Sequence, residues 1–249
     1  MARGELRVGT SGYQYDHWKG VFYPNGLSKN EWFEHYASHF DTVEINNTFY
    51  NLPQAATFDT WRDRAPNGFR YVLKFSRYGT HMKKLKDPEA SLGVFLERAE
   101  RLKAFLGPIL VQLPPHWKCA PERLDAFLAA APKRHRWAVE LRDTSWLCEE
   151  TYAVLRKHGA ALCIHDMIPD HPEVLTATWT YLRFHGPQHT RKYQGEYPHQ
   201  TLKGVATRIR GYLDSGKDVY AYFNNDQHGY AVKNALQLRR YVEQPGGES

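Results

Sequence analysis

The chain has 249 residues and a mass of 29.0 kDa, with 42% hydrophobic and 24% charged residues. This balance is that of an ordinary globular protein, and it excludes a collagen-like chain, a coiled coil and a disordered tail protein. The formal net charge of +6 and the sequence pI of about 9.1 favour anionic partners such as phosphate esters, nucleic acid or a membrane surface. A basic surface that is merely solvated is the alternative.

The three cysteines, Cys119, Cys148 and Cys163, are odd in number and form no C-x-x-C pair. This count argues against a disulfide framework and against a zinc ribbon, and it favours a reducing compartment. A strand-like run over residues 6–8 leaves no room for a signal peptide, and no apolar stretch is long enough to span a bilayer. We therefore expect a cytoplasmic protein without a membrane partner, working as a monomer.

Short apolar runs alternate with amphipathic stretches along the whole chain. The runs predict eight strands, in chain order Leu6–Thr10, Thr42–Asn46, Arg70–Phe75, Ile109–Leu113, Trp137–Leu141, Ala161–His165, Thr180–Phe184 and Asp218–Phe223. The amphipathic stretches predict helices near Glu31–Phe40, Ala55–Arg64, Pro88–Phe105, Pro121–Ala130, Glu149–His158, Leu202–Asp214 and Tyr230–Val242. A capping-box pattern from Ser28 to Glu31 opens the first helix. The connection Asp166–Trp179 contains two prolines and shows no helical period.

This alternation predicts an α/β protein with a (β/α)8 TIM-type barrel, in which the connection after strand 6 lacks a clear helix. We expect a single barrel domain over residues 1–244 and a flexible tail over residues 245–249. A doubly wound sheet would alternate in the same way. However, no G-x-G-x-x-G motif and no P-loop follows any strand, so neither nucleotide-binding fold is supported.

Within the strands, one parity is apolar and the other becomes polar toward the carboxyl end. The polar positions are Glu44 and Asn46, Lys74, Gln112, Glu140 and Arg142, His165, Arg183 and His185, and Asn224. In a barrel this parity points inward, and active sites lie at the carboxyl ends of the strands. Buried charges must pair or face a wet cavity, so a closed ion-pair network that plugs the barrel is the structural alternative.

The predicted strand-to-helix loops add basic and aromatic residues at the same end. The loop after strand 3 (residues 77–86) contains His81 and three lysines, and the loop after strand 7 contains His189, Arg191 and Lys192. The loop after strand 8 begins with Asn224 and Asn225. Interleaved basic and aromatic residues suit an anion that carries a flat ring or a sugar.

Several motifs also resemble a known family. They are the runs at residues 8–13, 43–50, 111–115, 139–142, 183–186 and 222–225, and the E-I-N-N-T-F-Y and Y-F-N-N segments are the most specific of them. Together they are similar to the YecE-like family, a domain family of unknown function with a TIM-type barrel. The resemblance covers nearly the whole chain. It implies the barrel fold and the positions of the strand-end motifs, and it supplies no substrate and no cofactor.

An enzyme is the preferred interpretation, with acid–base chemistry on a small anionic compound containing phosphate or a sugar. Glu44 and Glu140 would act as general acid and base, while Lys74 and Arg183 would stabilise negative charge. Arg142 would keep Glu140 ionised. The predicted substrate contacts are Asn46, His81, Gln112, Arg142, His165, His185, Asn224 and Asn225, and we expect phosphate to bind near Arg183, Asn224 and Asn225.

Three other classes stay open: a nucleic-acid-binding or nuclease-like barrel, a glycosidase-like hydrolase built on two carboxylates, and a non-catalytic binding module. We predict no cofactor and no metal. Glu44, Glu140, His165, Asp166 and His185 are ligand types, but they lie in no metal-binding motif. The nearby lysine and arginines would also compete with a cation for the carboxylates.

Overall fold

A computed structural model describes residues 2–187 and 193–244. The predicted tail at residues 245–249, and His189, Arg191 and Lys192 of the predicted seventh loop, lie outside the described residues. The chain divides into two compact units. Unit 1 comprises Met1–Val43, His165–His171 and Tyr181–Ser249, and unit 2 comprises Glu44–Ile164 and Pro172–Thr180.

All eight predicted strands are present. They are β1 (Leu6–Thr10), β2 (Thr42–Ile45), β3 (Arg70–Lys74), β4 (Leu106–Gln112), β5 (Trp137–Glu140), β6 (Ala161–His165), β7 (Trp179–Phe184) and β8 (Asp218–Phe223). In unit 1, β1 pairs in parallel with β8, and β8 neighbours β7; in unit 2 the order is β6-β5-β4-β3-β2. Strands β2, β5, β6 and β7 are buried along their whole length, as is typical of parallel sheets covered on both faces.

Strand β4 begins at Leu106, earlier than the predicted start at Ile109. The prediction placed Gly107 and Pro108 in a turn. In the structure the register against β3 shifts between Tyr71, which pairs with Leu106, and Leu73, which pairs with Ile109. This irregularity accommodates the proline, whose nitrogen cannot donate to a neighbouring strand.

The helices of the described residues largely follow the prediction. They are α1 (Trp32–His39), α2 (Asn47–Tyr50), α3 (Ala55–Arg64), α4 (Pro88–Ala99), α5 (Pro121–Ala130), α6 (Glu149–His158), α7 (His199–Asp214) and α8 (Tyr230–Glu243). The prediction of one helix over Pro88–Phe105 was wrong beyond Ala99. A 3-10 segment, Glu100–Phe105, follows there, and Lys103 leaves helical geometry with a φ of 51°. Helix α7 begins at His199 rather than at Leu202.

Among the helical elements that were not predicted, two lie in unit 2 beside strand ends. The short helix α2 follows β2 directly, and a π-helical turn, Tyr78–Met82, follows β3. The turn is closed by the bond from Lys83 N to Tyr78 O at 2.9 Å. Such wide turns are rare and frequently occur at functional sites.

The predicted lack of a helix between β6 and β7 is confirmed. The Thr176 side chain from this connection forms hydrogen bonds with the backbone at the start of β6. Leu162 N donates to Thr176 Oγ1 at 2.8 Å, and Thr176 Oγ1 donates to Ala160 O at 2.7 Å. Thr176 is buried, so these bonds supply hydrogen-bond partners to backbone groups that water cannot reach.

The start of unit 1 depends on local capping and on a close backbone approach. The predicted capping box is present: Ser28 N donates to Glu31 Oε2 at 3.1 Å, and it opens the 3-10 turn Lys29–Glu31 that leads into α1. On α1, the buried Tyr36 hydroxyl accepts from Thr10 N at 3.0 Å and donates to Thr42 O at 3.1 Å. A Cβ on Gly9 would lie 2.4 Å from Thr42 O, so only glycine fits between these strands.

Candidate active site

The ends of β4 and β5 lie side by side in unit 2, with Gln112 in register with Glu140. Arg142 Nε donates to Glu140 Oε1, and Arg142 Nη2 donates to Gln112 Oε1 at 3.1 Å. The predicted pairing of Arg142 with Glu140 is therefore confirmed. Glu140 is fully buried, and a buried carboxylate requires such a partner.

Lys74, at the end of β3, is also buried. Its ammonium group lies 4.2 Å from the centre of the Phe49 ring, a cation–π arrangement. Helix α2 supplies that ring, and Thr48 from the same helix donates through Oγ1 to Lys74 O at 2.8 Å. The unpredicted helix α2 thus fixes both the backbone and the side chain of Lys74.

His81 lies on the π-helical turn, and its ring meets the Phe49 ring edge to face at 5.0 Å. Thr80 Oγ1 donates to Ser76 O at 3.0 Å, so its lone pairs remain for His81 Nδ1 at 2.9 Å. This geometry assigns the imidazole proton to Nδ1. The Nε2 atom then presents a lone pair, as a general base requires.

The charges around His81 oppose its protonation. Burial lowers the pKa of His81 to about 4, helped by the positive charges of Lys74, Arg77 and Arg142, while Glu140 acts in the opposite direction. The imidazole is therefore neutral near pH 7. We call Lys74, His81, Gln112, Glu140 and Arg142 the unit 2 cluster. With two cations against one carboxylate, it favours an anionic ligand.

Glu44 and Asn46 occupy the end of β2 and the residue before α2. Glu44 is fully buried, whereas Asn46 is half-buried. Glu44 lies on β2 as predicted, whereas Asn46, predicted as the last residue of that strand, lies beyond it in helical backbone geometry. The pairing of Glu44 with Glu140 as acid and base stays a prediction.

In unit 1, Arg183 is fully buried at the end of β7 and donates through Nη2 to Ser11 Oγ at 3.1 Å. Asn225 is fully buried as well. Its amide nitrogen donates to Gly195 O at 2.7 Å and to Asn234 Oδ1 at 2.9 Å. These bonds commit both amide hydrogens of Asn225 to the segment at Gly195 and to helix α8. Its predicted role in substrate binding therefore competes with a structural role.

Asp166 organises a second polar group in unit 1. Its Oδ1 atom accepts from His185 N at 2.9 Å and from His185 Nδ1 at 3.1 Å, and its Oδ2 atom accepts from the Tyr197 hydroxyl. Burial raises the pKa of Asp166, but the bonds from His185 and Tyr197 outweigh it, so the pKa lies below its ordinary value. Tyr197 also accepts from Gly186 N at 2.7 Å. We call Asp166, His185 and Tyr197 the unit 1 triad.

His165 stands beside this triad. Met167 N donates to His165 Nδ1 at 3.2 Å, which places the His165 proton on Nε2. The His165 ring centre lies 4.5 Å from that of His171 and 6.0 Å from that of His185. Within residues 2–187 and 193–244, no three His, Cys, Asp or Glu side chains form a group that could hold a metal ion.

The sequence analysis named Asp166 as a metal-ligand type but included neither Asp166 nor Tyr197 among the predicted site residues. Asp166 directly follows β6, and that position at a strand end was a usable signal. Tyr197 offered no such signal, because it lies in a loop separated from Asp166 by 31 positions in the sequence.

Asn224, a predicted substrate contact, is half-buried, and its backbone nitrogen donates to Phe184 O at 2.7 Å.

The parallel strands, the alternating helices and the polar groups at the strand ends define an α/β protein of the TIM-barrel class. The family model "Protein of unknown function DUF72" matches residues 7–248. The chain belongs to this family, which confirms the YecE-like resemblance. Within the described ranges, no helix is both long and apolar enough to cross a membrane.

Similar proteins agree with this assignment. The UPF0759 protein YunF of Bacillus subtilis is 26% identical over 96% of this chain and 95% of its own length. The UPF0759 protein YecE of Escherichia coli is 31% identical over 55% of this chain and 53% of its own length. A crystal structure of a DUF72 family protein from Thermotoga maritima matches with a TM-score of 0.84 and 30% identity, over 96% of this chain and 100% of that chain. A DUF72 family protein from Enterococcus faecalis shares the fold, with a TM-score of 0.80 at 22% identity over 97% of each chain.

Proposed function

We propose that the protein is an enzyme that uses acid–base chemistry on a small anionic compound containing phosphate or a sugar. The observation that carries this proposal is the neutral imidazole of His81 beside Lys74 and Arg142. A neutral histidine beside cations can take a proton from the hydroxyl of a bound anion or from a water molecule. The cations hold the anion in place.

Binding would also tune the base. An anion seated against Lys74 and Arg142 cancels part of the positive charge that now opposes protonation of His81. The pKa of His81 then rises from about 4 toward the physiological range, where a general base works best. Glu140 holds the Arg142 guanidinium in place through their ion pair, and Glu44 remains the proposed second carboxylate.

Nuclear magnetic resonance of the His81 ring, as a function of pH, tests this proposal with inorganic phosphate as the probe. Without phosphate, we expect a midpoint near pH 4, and saturating phosphate should raise it by at least about one pH unit, as an added anionic neighbour does. The Lys83→Met variant is the control and should show the same phosphate-dependent midpoint as the wild type, because Lys83 is not among the charges that shift the His81 pKa. A midpoint that phosphate leaves unchanged would remove the anion site from unit 2.

Nucleic-acid binding is the second candidate, and exposed aromatic residues favour it. Tyr50 and Tyr78 are 72% and 51% exposed, and the Lys83 ammonium group lies 5.8 Å from the Tyr78 ring centre. Exposed rings beside lysines are typical of single-strand stacking surfaces. We expect only weak binding, near 10⁻⁴–10⁻⁶ M and steeply salt-dependent. Nanomolar binding of single-stranded or duplex DNA at physiological salt would place nucleic acid first.

A further inference from the structure

Cys119 and Cys148 lie 29 positions apart in the sequence, yet their sulfur atoms are 3.8 Å apart. Both thiols are half-buried, and both sulfurs are 3.4 Å from Thr151 Oγ1. Cys119 lies just before α5, and Cys148 is the residue that precedes α6. The cysteine count alone argued against a disulfide framework, but it carries no information about this contact.

The two loops that carry these thiols are already joined. Cys119 N donates to Ser145 Oγ at 3.0 Å, and Trp146 Nε1 donates to Trp117 O at 2.6 Å. The two tryptophan rings meet edge to face at 5.0 Å. These bonds hold the loops after β4 and β5 together and so keep the sulfurs close before any oxidation. A disulfide would require the sulfur–sulfur distance to shorten to about 2.05 Å, which side-chain rotation in two loops could provide.

We propose that Cys119 and Cys148 form a reversible thiol–disulfide site whose co-reactant is a low-molecular-weight disulfide. One cysteine thiolate attacks that disulfide, forming a mixed disulfide and releasing one small thiol. The second cysteine thiolate then attacks the protein sulfur of the mixed disulfide, forms the Cys119–Cys148 bond and releases the second small thiol. Two protein thiols are oxidised, the small disulfide is reduced, and the two protons end on the two released thiols.

The burial of the Cys119 thiol affects the rate of this thiol–disulfide exchange. Burial raises the pKa of the Cys119 thiol, so little of it is thiolate at neutral pH. Attack by Cys119 on a disulfide is therefore slower than attack by an ordinary exposed thiol. Its closure would fasten the loops that follow Gln112 and Glu140, but the proposal does not depend on the function assigned to the unit 2 cluster.

Oxidised glutathione is the probe for the test, applied to the full-length folded protein. After alkylation of the remaining thiols and proteolysis, we expect a peptide pair cross-linked through Cys119 and Cys148 that dithiothreitol releases. Cys163 should be alkylated only after unfolding, since it is fully buried. The cross-linked protein should also melt several degrees higher, because the bond closes a loop spanning 29 positions.

Two variants complete the design. Cys163→Ala should give the same cross-link, while Cys148→Ser should give a persistent glutathione adduct on Cys119, because no second thiol can resolve it. Circular dichroism of each variant verifies its folding. Stable glutathione adducts on both cysteines of the wild type, or no loss of free thiols in the folded protein, would overturn the proposal.

Discussion

Lys74 and His81 contact the same ring, that of Phe49. The Lys74 ammonium group lies 4.2 Å from the ring centre, and the His81 ring packs edge to face against it with 5.0 Å between the ring centres. One buried aromatic side chain therefore contacts two groups that would repel each other if both were charged. Burial is the main cause of the neutral state of His81, and the positive charge of Lys74 beside the same ring adds to it.

Replacing Lys74 with methionine should raise the pKa of His81 from about 4 toward its ordinary value of 6.5. The positive charge of Lys74 disfavours the imidazolium form, and methionine removes that charge while keeping an unbranched side chain. A ring-proton titration measures the change. Lys83→Met serves as the control and should leave the midpoint in place; equal midpoints in the wild type and Lys74→Met would show that Lys74 does not act on His81.

The depressed pKa of His81 also makes stability depend on pH. Between about pH 4 and 6.5 the unfolded chain binds a proton that the folded protein does not, so the free energy of unfolding increases with pH across this window. This contribution is complete above pH 6.5 and is lost as the pH falls toward 4. Urea unfolding at pH 7 and pH 5 should show a smaller loss for His81→Gln than for the wild type. A larger loss in the variant would reverse the assigned direction.

The ion pair of Glu140 and Arg142 predicts a strongly non-additive mutant cycle. Arg142→Met removes an ion-pair partner from a fully buried carboxylate, so we expect a loss of about 3–5 kcal/mol in the free energy of unfolding. The double variant with Glu140→Gln should recover much of that loss. Gln112→Ala should cost only about 1–2 kcal/mol. If Gln112→Ala prevents folding, these strand ends form a closed structural plug rather than an open site.

Tyr197→Phe should destabilise the unit 1 triad. It removes the hydroxyl that donates to Asp166 and accepts from Gly186 N, so a buried N–H loses its acceptor at a cost of about 1–3 kcal/mol. Urea unfolding measures this cost. Tyr193→Phe is a suitable control, because Tyr193 is 40% exposed and should tolerate the change. Equal stability of the two variants would show that the triad adds nothing to the fold.

Arg183 provides an independent prediction about anion binding in unit 1. Its guanidinium group lies at the end of β7 and offers a fixed fork of donors that suits a tetrahedral oxyanion. Calorimetric titration with phosphate should show weaker binding by Arg183→Ala than by the wild type, and tighter binding as the pH falls toward the carboxylate range. Equal affinities would exclude Arg183 as the phosphate ligand that its strand-end position suggests.

The sequence predicted those features that depend on nearby residues. The spacing of Glu140 and Arg142 placed both on one parity of a strand, and the capping box at Ser28 marked the start of a helical segment. The positions of the strands, apart from the start of β4, followed from short apolar runs bounded by turn residues. In each case the controlling contacts lie within a few positions along the chain.

Contacts between distant segments could not be predicted in this way. Cys119 and Cys148 approach each other only because β4 and β5 are neighbours, and Tyr197 reaches Asp166 from a separate loop. Asn225 had the residue type of a ligand contact, but its bond to Asn234 depends on how the following helix packs. A single sequence does not contain these distances.

The π-helical turn at Tyr78–Met82 makes the position of His81 depend on the number of residues between β3 and α4. Because its closing bond joins Lys83 N to Tyr78 O, the turn holds one residue more than an α-helical turn would. Deleting one residue there would restore ordinary helical geometry and rotate the following side chains by about 100°. The position of His81 is thus encoded by chain length as well as by residue identity. Relatives that are one residue shorter between β3 and α4 should lack an imidazole at this place, even where they keep a histidine in the segment.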